Sequence, residues 1–411
     1  MRILHTGDWH LGDRLGRIDR TDDIRRNVER IAEYCRDESV DVLLIAGDLF
    51  SELARQDTLR DAIRHLQDTY GEFLSGGGTI LAVTGNHDNE NFCQTLCHAM
   101  NLAAVPTDAD GRAATGRLHL ATEPMLLRLP DRREQFDVQF LLMPYPTPTR
   151  YLRTEAQQRF ASLDEKNRTL LAAFTDQLSD LQQGPAYASS RPTVLCAHVS
   201  VQGGELSNRF RMDAEEDLVL SGSGIQGNYA YIALGHIHKP QSLGGLDHVR
   251  YSGSIERLDM GEKNDQKSVV LIDVGPTGLR GSPELLPLEA TSIYQIDVTN
   301  PADEIEGLRD RFAGAERDLV RLHIRYTSGV DNLNDVLSKL DEIFPRWYQR
   351  DWHDTSGLGQ PMTTADDERA KSFEETVRDY INAELLNYEP DEREAVLKLA
   401  DDLMRQMAEQ S

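Results

Sequence analysis

Five short polar motifs each follow directly on an apolar run of strand character: Asp8-Trp9-His10, Gly47-Asp48, Gly85-Asn86-His87-Asp88, Ala197-His198 and Gly235-His236-Ile237-His238. The runs before them are residues 2–6, 40–46, 79–84, 193–196 and 229–234. Carboxylate, amide and imidazole groups are thereby placed at five strand ends, where open α/β sheets carry their active sites. This is the donor inventory of a hydrolytic centre for two divalent ions. Two ions about 3.5–4 Å apart acidify a water between them and clamp the oxygens of a phosphate ester. One carboxylate must bridge them, and mixed oxygen and nitrogen donors suit manganese, iron or zinc rather than calcium.

Asp48, on the tight turn at Gly47, is the candidate bridge. Asp8 and His10, two apart in one loop, can point to the same ion. Asn86 brings a neutral carbonyl oxygen to the second, and His198, His236 and His238 complete the two ligand sets. In an extended His236-Ile237-His238 segment both imidazoles would face one side and Ile237 the other. His87, beside a ligand but not needed as one, is the candidate proton donor or charge stabiliser at the leaving oxygen. Asp88 is expected to cap the helix that follows.

Taken singly these motifs are weak, since a Gly-Asp is usually a turn and a lone buried histidine is usually hydrogen-bonded core. Five in order, each at a strand end, are hard to obtain from turn chemistry. His65, His98, His119, His248, His323 and His353 lack such company and read as surface or packing residues. Cys93 and Cys97 share a helix face with no matching second pair, which favours core packing over zinc.

The elements that position these motifs alternate strands with helices over roughly the first 280 residues, the rhythm of an α/β domain. Helices are expected at 22–38, 55–74 and 89–102, and a long one at 151–181 that ends in a linker loop at 184–192. Further strands are expected at 118–120, 125–129, 138–143, 249–252 and 268–274. The main body is set at 1–287. Residues 288–354 read as a small βαβαβ cap, with strands at 293–298, 318–326 and 346–352 and helices at 302–312 and 331–344. A Gly/Pro/Thr-rich linker at 355–364 leads to two amphipathic helices within 365–411. Their apolar stripe, including Phe373, Val377, Tyr380, Leu399 and Leu403, can fold back on the body or dock on a partner.

No apolar run approaches the roughly 20 residues needed to span a bilayer. The chain opens on a strand, so a signal peptide is not expected. Four scattered cysteines among 411 residues are no disulfide framework, and a reducing, cytoplasmic setting is expected. The net charge of −25 runs against the basic footprint of a nucleic-acid binder. Arg14, Arg17 and Arg20, the candidate DNA contacts, begin a basic stretch that Arg25 and Arg26 continue. It fits a solvated helix face as well as a DNA groove.

The order Asp-x-His, Gly-Asp, Gly-Asn-His-Asp, His, Gly-His-x-His resembles the calcineurin-like metallophosphoesterases. Tyr231-Ile232-Ala233-Leu234-Gly235-His236-Ile237-His238 and Tyr251-Ser252-Gly253-Ser254 narrow the resemblance to SbcD-type nuclease subunits. So do Ile255-Glu256-Arg257-Leu258-Asp259-Met260-Gly261-Glu262, Asp8-Trp9-His10-Leu11-Gly12 and Ala46-Gly47-Asp48-Leu49-Phe50. The specific match runs from Met1 to about Lys267. It implies an α/β fold in which a calcineurin-like β-sandwich is flanked by helices and followed by the small α/β cap and the C-terminal helical pair. Asp8, His10, Asp48 and His238 would hold one manganese, and Asp48, Asn86, His198 and His236 the other, with His87 catalytic.

The activity implied is a double-strand DNA exonuclease and single-strand or hairpin endonuclease of DNA repair and recombination. It would work as a homodimer, paired through helices 55–74 and 89–102, in a heterotetramer with an SbcC-type coiled-coil ATPase. The C-terminal helices would grip the coiled coil and the cap would help guide DNA. One departure is local: where relatives carry histidine or aspartate after the second motif, this chain has Ser51 and then Glu52. The alternative on the same site is a phosphoesterase acting on cyclic nucleotides or phosphoproteins, which needs neither cap nor acidic tail.

Overall fold

Strands buried on both faces read as unbroken apolar runs rather than alternating ones, and the runs before the motifs are of this kind. In the computed structural model, which describes residues 1–103, 106–107, 111–152, 160–205, 218–225, 227–356 and 398, they become the centre of two stacked sheets. The chain begins with β1 (Arg2–Thr6), a hairpin of β2 (Arg14–Leu15) and β3 (Ile18–Asp19), α1 (Thr21–Asp37), β4 (Val42–Ile45), α2 (Gln56–Ser75), β5 (Thr79–Val83) and α3 (Glu90–Ala103). Next come β6 (Leu118–Ala121), β7 (Met125–Pro130), β8 (Asp137–Met143), the short α4 (Pro148–Tyr151), α5 (Leu163–Gln183) and β9 (Thr193–His198). The pair β10 (Ser200–Val201) and β11 (Val219–Leu220) precedes β12 (Tyr231–Gly235), β13 (Gln241–Leu243), β14 (Leu246–Tyr251), β15 (Ser268–Gly275) and β16 (Gly278–Pro287).

One sheet runs β16-β15-β1-β4-β5-β6 and the other β13-β14-β12-β9-β8-β7. Ile3, Val42, Leu44 and Val83 of the first meet Phe140, Val194 and Tyr231 of the second in a shared core. The outer face of the first sheet packs on α1, α2 and α3 through Ile24, Val28, Ile31, Tyr70 and Cys93. That of the second packs on Phe174 and Leu178 of α5. The result is the helix-flanked β-sandwich that the resemblance implies. β1, β4 and β5 are mutually parallel, as are β8, β9 and β12, so the five motifs gather at one end.

Two expectations need correction. The long helix at 151–181 starts instead at Leu163, because Ser162 accepts the backbone N–H of Glu165 while Glu165 accepts that of Ala161, a reciprocal arrangement that ends a helix N-terminally. Residues 153–159 lie outside the described residues. β16 has no counterpart among the expected strands; it is an edge strand, where proline costs no ladder bond.

A second body follows: β17 (Ile293–Val298), α6 (Pro301–Arg311), β18 (Leu319–Tyr326), α7 (Leu333–Ile343) and β19 (Trp347–Asp354). Its three strands are parallel, in the order β17-β18-β19, and close on their own core of Ile296, Val320, Leu322, Val336, Leu340 and Phe344. This small cap sits on the β2–β3 hairpin through Leu15, Ile18, Ile293, Leu319, Met260 and Tyr348. Arg17 stacks 4.0 Å over the Trp347 ring and donates to the carbonyls of Trp347 and Pro345. Below it, buried Asp23 receives Arg20, Arg26 and both terminal guanidinium nitrogens of Arg346.

The candidate DNA contacts are accordingly corrected. Arg20 is fully buried, donating to Asp23 and to the Arg257 carbonyl, and cannot reach a phosphate. Arg17, though exposed, is committed to the cap. Arg14 stays exposed on the hairpin, where it lies beside Asp19 and donates to the Arg17 carbonyl. The apolar stripe with Phe373, Val377, Tyr380, Leu399 and Leu403 lies outside the described residues.

Burial would raise the Asp23 carboxyl, but Arg346 and Arg20 outweigh it and pull it from 3.8 to about 2. A depressed carboxylate stabilises the fold above its unfolded value and loses that contribution as pH falls through the folded one. Stability from this seam should thus persist down to pH about 4 and disappear toward pH 2. Asp23→Asn leaves Arg20 and Arg346 without their shared carboxylate and should cost about 3–5 kcal/mol, measured by denaturant unfolding. The same variant should flatten the acid limb of the stability profile between those pH values.

Candidate metal centre

All seven donors converge. Asp8 and His10 lie in the loop after β1, Asp48 after β4, Asn86 after β5, His198 at the end of β9, and His236 and His238 after β12. Getting side chains to point back over the strand ends requires unusual backbone. Of the five non-glycine residues with positive φ among the described ones, four are Asp8, His10, Asp48 and His236. Such conformations cost about 1–3 kcal/mol each and persist only where the surroundings enforce them. Here the enforcement is a lattice of main-chain bonds. The Asp48 carbonyl accepts Trp9 and His10, the Gly47 carbonyl accepts Asp8, and the Asp8 carboxylate accepts the N–H of His236.

The motif glycines are there for clearance. At Gly47, which has φ +95°, a β-carbon would fall 2.1 Å from Nδ1 of His198; at Gly235 it would fall 1.8 Å from the carbonyl oxygen of Ala46. Tight approach of β4 to β9 and β12 therefore depends on both.

The donors divide into two overlapping groups. Asp8, His10 and His238 can offer atoms within 4.8 Å of one another, and so can Asp8, Asp48 and His198. Asp48 Oδ2 lies 3.6 Å from Nε2 of His10 and 3.2 Å from Nε2 of His198, so one oxygen faces ligands of both groups. Asn86 Oδ1 stands 3.0 Å from both His198 Nε2 and His236 Nδ1. Two carboxylates, one amide oxygen and four imidazoles make a mixed set that fits a pair of divalent transition-metal ions. His236 and His238 do not lie on one side of an extended strand as expected. With φ +94° at His236 the chain turns there, sending His236 to Asn86 and His238 to Asp8 while Ile237 packs in the core.

Charge in this centre is shared between acids and imidazoles. Burial would lower His198, but Asp48, with Asp8 and the Ala46 carbonyl, lifts it to about 9. Burial likewise opposes ionisation of Asp48, yet His198 and His10 hold it well below the usual carboxylate range. Asp8 moves up, because burial prevails over His198 and His238.

His87 is positioned on the open side of this cluster, its ring 5.1 Å from that of His10 and 24 % exposed, with its backbone N–H donated to Asp48 Oδ1. Its Nδ1 lies 3.3 Å from a carboxylate oxygen of Glu52. Ser51, one residue earlier, turns away and donates to Asp13. The departure seen after the second motif therefore leaves His87 with an acidic neighbour after all.

Asp88 does not cap α3, contrary to expectation. It is buried and accepts the N–H groups of Leu49, Phe50 and Gly85, stapling the second motif to the third. Burial, then the charge of Asp48, raises it to about 6. Asn89 does the capping, accepting Phe92 N–H. Sequence reasoning also missed buried Arg150, which donates to the Gly85 and Tyr145 carbonyls, and Tyr145, whose ring lies 5.4 Å from His236. Neither carries a local signature, since both come from a segment with no motif. Glu262, which closes one of the stretches bearing the resemblance, has no role legible from sequence; its Oε1 lies 2.9 Å from Nδ1 of His238. Cys93 packs in the core, as expected.

Comparison with known proteins gives one direction. The family description calcineurin-like phosphoesterase matches residues 1–240. The SbcD component of nuclease SbcCD from Rhodobacter capsulatus is 29% identical over 362 residues, covering 84% of this chain and 85% of that protein. Its namesake in Escherichia coli K12 is 27% identical over 363 residues, 84% and 82%. That of Staphylococcus epidermidis is 24% identical over 357 residues, 84% and 83%.

Titration calorimetry with manganese should find two ions per chain. Asp48→Asn should weaken both sites, while His238→Ala should weaken one and leave the other near its original affinity. Because His198 holds its proton up to about 9 without ions, binding near neutral pH must release that proton. Apparent affinity should therefore climb as pH rises toward that value. Binding heats should also change between buffers of different ionisation enthalpy at pH 7.

Proposed function

Because the chain belongs to the calcineurin-like phosphoesterase family, we propose that it is a metal-dependent DNA nuclease subunit that hydrolyses phosphodiesters. What carries this reading is where the likeness extends. The family match ends at residue 240, but the likeness to the SbcD component of nuclease SbcCD covers 84% of the chain. A small-molecule phosphatase has no use for that additional length.

Asp8, His10, Asp48 and His238 would hold one divalent ion, and Asp48, Asn86, His198 and His236 the other. Manganese is the ion we assign to both. When bound, the pair supplies charge neutralisation at the phosphoryl oxygens and a water of lowered pKa. The chain's own part is to hold these donors in strained, preformed geometry, so that little reorganisation remains at reaction. His87 engages Glu52 through Nδ1, which leaves Nε2 as the nitrogen to donate a proton to the departing sugar oxygen. Glu52 would fix the ring's direction, taking the place that histidine or aspartate has in the resemblance.

Double-strand exonuclease and single-strand or hairpin endonuclease activities, in repair and recombination, follow from the same reading. So does a homodimer joined to an SbcC-type coiled-coil ATPase in a heterotetramer. With a net charge of −25, affinity for DNA must come chiefly from the ions, the dimer and the partner rather than from a basic groove. A reducing, cytoplasmic setting is supported by four free cysteines, three of them buried. No helix among the described residues is long and apolar enough to cross a membrane.

Purified protein with manganese should degrade a linear duplex and leave a cyclic nucleotide intact; turnover of the nucleotide with the duplex untouched would overturn the nuclease reading. His87→Ala should lower cleavage by about 10²–10⁴-fold while manganese content stays at two ions. Removing residues 365–411 should abolish capture of the coiled-coil ATPase and spare metal-dependent cleavage. Full capture by the shortened chain would place the docking site elsewhere.

A further inference from the structure

Glu262 sits on a single 3-10 turn, Met260–Glu262, begun by Asp259, whose side chain accepts the N–H of Gly261. Its carboxylate is completely buried. Oε1 meets Nδ1 of His238 at 2.9 Å, and Oε2 accepts Lys267 Nζ at 2.6 Å and Ser254 Oγ at 3.0 Å. Lys267 is itself buried and donates also to Ser254 Oγ and to the His238 carbonyl, both at 2.9 Å. The cluster thus grips His238 by its side chain and its main chain at once.

A buried ion pair of this kind is a poor stabiliser compared with apolar groups of equal volume, so its presence beneath one candidate ligand calls for another account. A carboxylate can only accept, so a neutral His238 must keep its hydrogen on Nδ1. The lone pair then lies on Nε2, the nitrogen 4.0 Å from Asp8 Oδ1. His198 is treated alike by a neutral group: its Nδ1 lies 2.7 Å from the Ala46 carbonyl, and its Nε2 faces Asp48 and Asn86.

We propose that Glu262, clamped by Lys267 and Ser254, is a positioning residue for His238, fixing the tautomer and direction that present Nε2 to the ion beside Asp8 and His10. This assigns a job to residues 252–262 and Lys267, which bear no ligand of their own. It rests on the two-ion reading above. Partners that orient a ligand histidine typically change metal affinity by about 10–100-fold when lost, so the effect should fall on one ion and spare the other.

The test is manganese binding, followed by calorimetry and by electron paramagnetic resonance of the bound ions. Wild-type protein should take two ions and show the signal of a coupled pair. Glu262→Gln should keep one ion at wild-type affinity and bind the second about 10–100-fold more weakly. Because Glu262→Gln strands a buried lysine, the charge-neutral double variant Glu262→Gln/Lys267→Met is measured beside it and should show the same one-sided loss with a cooperative melt. In a His238→Ala background, Glu262→Gln should add nothing further, since the histidine through which it acts is gone. A folded variant with both affinities unchanged overturns the proposal, as does an equal loss with and without His238. Collapse of both variants also overturns it, leaving the pair a structural one. Failure of the wild-type protein to bind ions would instead sink the two-ion reading.

Discussion

A carboxylate with 1 % of its side-chain surface exposed has to be surrounded by compensating charge, and at Asp48 that compensation joins four of the five motifs. Its Oδ1 takes the N–H of His87, its Oδ2 faces His10 and His198, and its carbonyl takes Trp9 and His10. The first, third and fourth motifs are therefore registered on the second. Because these contacts run through the main chain as well as through side chains, the loops are locked before any ligand arrives. The backbone strain at Asp8, His10, Asp48 and His236 is held by the same lattice. Asp88, buried alongside, prevents the second and third loops from parting.

Around this node the acids and bases offset one another. The centre has a strongly acidic Asp48 against a His198 lifted to about 9. Farther out, Glu262 and Lys267 repeat the pattern as a buried pair. Each layer offsets the charge of the one inside it.

The donors were legible because each follows a doubly buried apolar run, and that context survives in one dimension. Asp8, Asp48, Asn86 and His198 could be placed by this rule alone. The direction of a ring could not: the turn at His236 depends on the Asp8 carboxylate that accepts its N–H, 228 residues away. For the same reason Asp88 passed for a helix cap, since its partners Leu49 and Phe50 come from another loop. Arg17 looked like part of a basic face because its partner Trp347 is revealed only when the cap is seated, and Arg20 because one of its partners, the Arg257 carbonyl, lies 237 residues away. The sandwich itself was harder to see than its strands, for β16 hides behind its prolines. The order of the sheets rests on pairings such as β1 with β15, far apart in the chain.

The seat of the cap has a consequence for how the two bodies are connected. His10 and Leu15 are five residues apart, and between the two lie only Leu11, itself core, and a turn closed by the bond from Asp13 N–H to the His10 carbonyl. The hairpin at whose tip Gly16 lies against the Tyr348 carbonyl thus begins four residues after His10. The cap is attached to the body through this hairpin and through the contacts of Arg17 and Arg346. The segment that seats the second body therefore continues directly from the loop that carries Asp8 and His10.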